Sequence, residues 1–441
     1  MQPDSGSRTV VFFPEGAFGP TNNCVGIGEV LKRRGHRVVF VVEESFAGTL
    51  DAKGFEERLM RLKPKPERAE EPGQFWKDFI RETAPQFRRP TIEQLEGLIR
   101  PIWRELIDGS RYVEPRLREI FDEVGPDVIV QDNVVAFPAV VTAGVPWVRI
   151  MSCNPLEMRD PDLPPTFSGY PATDRTGWHE FRSEYERTHA DLWADFDRFV
   201  TESGAGHLPS LQFIHESPFL NLSLYPSEAD YERSRPLSPM WERLDSCVRD
   251  TEARFELPQT LRAPHGALVY LSLGSLGSAD VGLMMRLIEI LAKTPHRYIV
   301  SKGPQHELIE LADNMWGEEY LPQPAILPQV DLVIAHGGNN TVTECFHFGK
   351  PMVVLPLFWD QYDNAQRIDE LGFGARLPSY SFEPGDLIDA MDRLLADADL
   401  RSRLRMTAVR VQSLRGTVRA ADRIERVATE ERPVASGRIR G

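Results

Sequence analysis

Along this chain short β-branched apolar runs alternate with stretches of three- and four-residue apolar spacing, the pattern of parallel strands separated by helices. Val10 to Phe13 reads as a first strand, Cys24 to Arg34 as a helix and Arg37 to Val42 as a second strand, so the chain opens with a βαβ unit. Further strands are expected at Asp127 to Asp132, Gly144 to Pro155 and Phe219 to Tyr225. The second half repeats the pattern, with strands at Gly266 to Leu273, Arg297 to Val300 and Val330 to Ala335, and with Pro351 to Phe358 apolar enough for a strand buried on both faces. Helices fall between them at Met284 to Ala292 and Thr341 to Phe348, then at Pro384 to Leu395 and Arg401 to Thr429. Trp178 to Thr201 carries its apolar residues at helical intervals over about six turns. Glu71 to Tyr112 places Phe75, Trp76, Phe79, Phe87 and Trp103 among charges and prolines, a texture of helices and loops outside a sheet.

A length of 441 residues without repeats makes two or three domains. The formal charge of −15 disfavours nucleic acid as a partner and leaves no basic face for anionic lipid. Four cysteines, Cys24, Cys153, Cys247 and Cys345, lie scattered without metal-ligand or disulfide spacing, which points to the cytoplasm. The first residues read as a strand and not a signal peptide, and no run approaches the ~20 apolar residues of a membrane span. The glycines after the first strand do not form the dinucleotide fingerprint, which disfavours a dehydrogenase.

The chemistry concentrates between Val330 and Gly374. A strand stops at His336-Gly337-Gly338-Asn339-Asn340 and a helix follows, so glycine lets the backbone approach a ligand while the unpaired N–H groups of the helix start favour an anion. Thr341 and Glu344 also have capping-box spacing, a purely structural alternative for that pair. Asp360 and Gln361 follow an apolar run, where open α/β sheets bind ligands, and a carboxylate beside an amide can hold two sugar hydroxyls; the structural alternative for either one is a cap on the following helix. Ser275, just past Leu273-Gly274, is placed to meet a phosphate.

The run His336, Gly337, Gly338, Asn340, Thr341, Glu344, then Gly349, Pro351, Met352, Pro356, Asp360, Gln361, Asn364 and Ala365, resembles the C-terminal signature of the UDP-glycosyltransferase superfamily, in its bacterial natural-product and macrolide branch. Tyr320-Leu321-Pro322-Gln323 is similar to an upstream element of the same signature. The resemblance implies an α/β chain of GT-B fold, two Rossmann-like domains facing across a cleft. Residues 1–240 would form the acceptor-binding domain, 241–265 a proline-bearing linker, 266–415 the nucleotide-sugar domain and 416–441 a helix returning to the first domain plus a tail. Tyr320 would stack on the base, Gln323 reach its edge and Glu344 hold the ribose; Ser275, His336, Gly338, Asn340 and Thr341 would hold the diphosphate, and Asp360 with Gln361 the sugar.

The departure is at Pro20, where alignment from Arg34-Gly35-His36 places the histidine base of related enzymes. Its orienting partner, Asp132, is present. Asp132 acting directly is the favoured reading; a share for Glu15 or Asn22, or an acceptor that needs no strong base, stay open. The implied activity is a metal-independent, inverting hexosyl transfer from a UDP-sugar, or a dTDP-sugar, to a bulky apolar acceptor such as a polyketide or flavonoid, as in antibiotic modification. The nucleotide sugar is a co-substrate and no cofactor is implied. Three Asp-x-Asp matches, at Asp160, Asp195 and Asp397, follow no strand and are read as chance. The alternatives are a GT-B subunit that binds a nucleotide sugar without transferring it, and a nucleotide-sugar hydrolase. Oligomeric state has no signal in the sequence.

Overall fold

A computed structural model describes residues 6–65, 83–249, 254–262 and 265–429; Phe75, Trp76, Phe79 and the tail from Glu430 lie outside them. Two wholly parallel sheets form. The first runs β3-β2-β1-β4-β5-β6-β7, with β1 Thr9–Pro14, β2 Arg37–Glu43, β3 Glu56–Met60, β4 Val128–Asp132, β5 Trp147–Met151, β6 Leu220–Ser223 and β7 Trp241–Arg243. The second runs β10-β9-β8-β11-β12-β13, with β8 Leu268–Ser272, β9 Arg297–Ser301, β10 Met315–Glu318, β11 Leu332–Ala335, β12 Met352–Val354 and β13 Gly374–Arg376. In both, strand order reverses between the first and fourth strands, and the crevice at that reversal is where open α/β sheets hold ligands. Register fixes what lies there. Pro14 pairs with Asp132 and Ala335 with Ser272, so Glu15 emerges beside Asp132, and His336 beside Leu273 and Gly274.

The helices that matter for the site are α1 Phe18–Arg33, α2 Arg100–Val124, α3 Trp178–Glu202, α4 Val281–Leu291, α5 Asn339–Phe348, α6 Gln361–Glu370, α7 Pro384–Ala396, α8 Ala398–Leu414 and α9 Gly416–Thr429. Helix α1 starts six residues before the expected Cys24. Pro20 sits in its first turn, where the missing N–H is not needed, so a stretch that reads as loop is helical. Strand β12 is correspondingly shorter than the apolar run. After Val354 the N–H groups of Leu357 and Phe358 turn to the Gln361 side-chain oxygen at 3.0 and 3.3 Å, and Trp359 takes a left-handed φ of 58°.

Trp241–Arg243 pairs with β6, so the first sheet extends past residue 240 and the linker begins after it. Helix α9 buries Ala420, Ala421 and Ile424 in the same cluster as Val10, Cys24 and Ile27 of the first domain. Two glycines make this close approach possible: a Cβ on Gly26 would stand 3.1 Å from the Cys247 carbonyl oxygen, and one on Gly416 1.9 Å from that of Ser246. His36 accepts the Arg8 N–H at Nδ1 and donates from Nε2 to Glu425 at 2.8 Å, which gives it a structural task.

Candidate active site in the cleft

On the second domain, the His336 ring is gripped between glycines. A Cβ on Gly274 would lie 2.7 Å from His336 Cε1, and one on Gly338 2.5 Å from its Nε2. Burial pushes the imidazole down to about 4, so it is neutral near pH 7 and serves as a hydrogen-bonding group. Its Nδ1 is buried without a hydrogen bond of normal geometry, and the Ser272 backbone lies against the ring. Helix α5 then begins at Asn339 with Gly338 as N-cap, no capping side chain and no acidic residue in its first turn. Its leading N–H groups therefore face the cleft with the positive end of the helix dipole behind them.

Thr341 and Glu344 do not form a capping box. Glu344 is buried and accepts from Gln323 Nε2 at 2.6 Å and from Arg249 at 3.2 Å, while Gln323 also reaches Thr341 Oγ1 at 3.4 Å. Asn340 donates to the Gly19 carbonyl of the first domain at 3.0 Å, and Asn339 to that of Leu224 at 3.0 Å. Tyr320 is 51% exposed with its ring 5.8 Å from that of Phe18, itself 48% exposed, so two open aromatic rings from opposite domains flank the rim. The backbone of Ser275 follows β8, and its side chain lies outside those described.

Across the cleft stands Asp132, 3% exposed at the end of β4. Ser152 donates to its Oδ1 at 2.8 Å. Asn23, 4% exposed, lies against the same carboxyl, yet neither Asn23 Nδ2 nor Asp132 Oδ2 has a hydrogen bond of normal geometry. Burial pushes Asp132 up to about 7; Ser152 pulls it down and the Glu15 charge pushes it up. Glu15 and Asp360 are likewise raised to about 7, both mainly by burial, with Asp360 adding to the shift of Glu15. Three carboxyl groups from both domains thus share the space around the strand ends.

Asn23 and Ser152 escaped the sequence reading, which weighed Asn22. A helix started at Phe18 would have put Asn23 three residues after Pro20 on the same face, the one signal that points to it. Of the nearby histidines, His179 is exposed, His189 is fully buried and stacked on Tyr185, His207 is paired with Asp197, and His215 lies against the Gly206 carbonyl at 3.3 Å.

Asp360 and Gln361 stand at the cleft with protein partners. Asp360 Oδ2 accepts the Asn154 N–H of the first domain at 2.9 Å, and Gln361 holds the loop before it. One turn on, Asp363 accepts the N–H groups of Phe167 and Gly169 at 2.6 and 2.8 Å, and Arg376 donates to the Gly169 carbonyl at 2.7 Å. Arg367 reaches the Ala229 carbonyl at 2.9 Å, so α6 grips the first domain along its length. The cleft is closed in this arrangement. Among the described residues no helix is long and apolar enough to cross a membrane.

Residues 222–410 match the protein family described as UDP-glucoronosyl and UDP-glucosyl transferase. The oleandomycin glycosyltransferase of Streptomyces antibioticus is 26% identical over 427 residues, 94% of this chain and 90% of its own. The zeaxanthin glucosyltransferase of Pantoea ananas is 26% identical over 336 residues, 73% of this chain and 76% of its own. Among solved structures, the glycotransferase of kitacinnamycin superposes with a TM-score of 0.67 at 22% identity, covering 96% of this chain and 99% of that one. The spinosyn rhamnosyltransferase complexed with thymidine diphosphate does so with a TM-score of 0.61 at 19% identity, covering 94% and 100%. These likenesses identify the two-sheet architecture as the GT-B fold.

Proposed function

We propose, for a chain whose residues 222–410 match the family described as UDP-glucoronosyl and UDP-glucosyl transferase, an inverting transfer of a hexose from a UDP-sugar, or a dTDP-sugar, to a hydroxyl of a bulky apolar small molecule. The observation that carries it is the opposition, across one closed cleft, of an uncapped helix start beside neutral His336 and a buried, acceptor-side Asp132. The acceptor hydroxyl attacks the anomeric carbon as the bond to the diphosphate oxygen breaks, and its proton passes to Asp132. The α5 N–H groups and a His336 N–H receive the charge that develops on the departing diphosphate, so the step runs without a metal. Held near 7, Asp132 is a far better base than an ordinary carboxylate. Glu15 stands beside it and tunes it by charge.

Tyr320 offers a face to the base, and Gln323 with Glu344 offers polar groups that exchange their mutual bond for base edge and ribose. Asp360 and Gln361 turn to the sugar as the loop admits it. The relatives named as oleandomycin and zeaxanthin transferases support a small-molecule acceptor. Diphosphate release from UDP-glucose, measured with and without a panel of phenolic and macrolide acceptors, tests the reading. Release that depends on acceptor and drops at least a hundredfold in Asp132→Asn is expected. Pro20 favours one rival, a subunit that binds nucleotide sugar and does not turn over; donor binding with no release under any acceptor would establish that rival instead. Free sugar formed without acceptor would mark a hydrolase.

A further inference from the structure

Trp359 is the ring that joins the two domains' cores, since it packs against both the donor-domain cluster and the aromatic cluster of the first domain. Its ring centroid lies 4.4 Å from that of Phe167 and 5.0 Å from that of Trp103, which in turn stacks on Phe213 at 4.3 Å. Two features set it apart from ordinary interdomain packing. Trp359 and Phe167 both hold left-handed backbones, with φ of 58° and 71°, a conformation that glycine takes at less cost than any L-residue with a side chain. Among the described residues Leu211, Asp245 and Arg415 share that backbone region; Trp359 and Phe167 differ in that their rings meet across the domain boundary. The second feature is polar. Within the same cluster the Trp103 indole N–H and the Tyr185 hydroxyl are buried against each other, with Arg159 also beside the hydroxyl and over its ring at 4.3 Å, and neither the indole N–H nor the hydroxyl has a hydrogen bond of normal geometry. Buried donors are rarely left so unless something else supplies their partner.

The position of the ring relative to the reacting groups adds a third point. Trp359 directly precedes Asp360, whose carboxylate is tied to the Asn154 N–H, and Asn154 lies two residues from Ser152, the group that holds Asp132. The ring is half-buried.

We propose that Trp359 is the acceptor-reading ring of this enzyme: a planar, apolar acceptor carrying hydroxyl or carbonyl oxygens slides in against it, taking the place of Phe167. Its oxygens meet the indole N–H of Trp103 and the hydroxyl of Tyr185. Because the ring belongs to the donor domain, an acceptor stacked on it presses on the loop that carries Asp360, so acceptor binding and sugar positioning are linked. This rests on the transferase reading of the same cleft.

The test uses the full chain, a fluorescent flavonol as planar probe, and UDP. Trp359→Gly relaxes the backbone while removing the ring, Trp359→Phe keeps a ring, and Trp359→Leu keeps apolar bulk without one. Titration is expected to show the flavonol bound at least tenfold more weakly by the Gly and Leu variants and within about threefold of wild type by the Phe variant, a contrast of aromatic stacking against bulk alone. UDP affinity is expected to stay within about twofold throughout, since that site rests on α5 and not on this ring. Equal flavonol affinity in wild type and the Leu variant overturns the proposal, as does a wild type that binds UDP but not the flavonol. Flavonol binding that follows the ring in a protein that fails to bind UDP would instead remove the transferase reading and leave the ring's role standing.

Discussion

On the proposed reading Asp132 takes the proton where the family resemblance would place a histidine at Pro20, and the surroundings change the carboxyl itself. In a buried site with Glu15 close by, its protonation midpoint moves to about 7. A group that accepts a proton must begin without one, so activity rises with pH through that midpoint, and the acid limb of kcat/KM is expected near 7 and not near the ordinary value of about 4. Ser152 stabilises the charged form, and so does Asn23 from α1. Removing either donor raises the midpoint further. Asn23→Leu and Ser152→Ala are each expected to shift the acid limb upward by about one pH unit, which costs about fivefold in rate at pH 7, approaches tenfold only at lower pH, and leaves KM for the donor unchanged. The groups that face Asp132 are Glu15 after β1, Cys24 on α1, Arg149 and Cys153 at β5, and Cys247 in the linker; of these only Glu15 titrates in the same range, since burial pushes the three thiols up. A pH–rate profile of the two variants that overlays the wild type would mean that neither donor tunes the base.

At the scale of elements, the strand, glycine turn and helix around His336 was legible because its pattern is local: β-branched residues end where Gly337 and Gly338 begin, and the helix follows. The register that puts His336 against Gly274 was not, since it depends on β8 and β11 pairing across sixty residues of chain. Gly338 has an ordinary φ of −60°, so its requirement is space. Gly338→Ala is expected to push the His336 ring out of place and to weaken UDP binding at least tenfold by calorimetry. Undiminished affinity would detach His336 from the diphosphate. Helix α1 shows the opposite kind of failure. Gly19 and Pro20 read as loop, yet the first helical turn tolerates both, and the error hid Asn23 by assigning it to the wrong kind of element. Strand β12 was overread for a related reason. Leu355 to Phe358 are apolar because they are buried at the cleft, and a burial pattern alone does not distinguish a strand from a packed loop.

The whole molecule closes through carboxylates that burial works against. Asp363, between Phe167 and Gly169 of the first domain, is raised to about 8, mainly by burial and despite the two N–H groups it accepts. Glu15, Asp132 and Asp360 are raised to about 7. In the unfolded chain these groups have ordinary midpoints near 4. Between that value and 7 the folded state binds more protons than the unfolded one, so its stability falls as pH rises across this window, and for Asp363 up to about 8. The slope per group reaches at most about 1.4 kcal/mol per pH unit. With a formal charge of −15, general repulsion acts in the same direction. The melting temperature is therefore expected to decline steadily from pH 5.5 to pH 8.5, unlike that of a protein whose carboxylates are held by cations. Asp363→Asn removes one titrating group from the interface between α6 and the first domain, and it should flatten the part of the curve above pH 7. A melting temperature that climbs toward pH 8.5 would mean that these carboxyls are hydrated and the cleft open in solution, and closure would then have to come from bound donor.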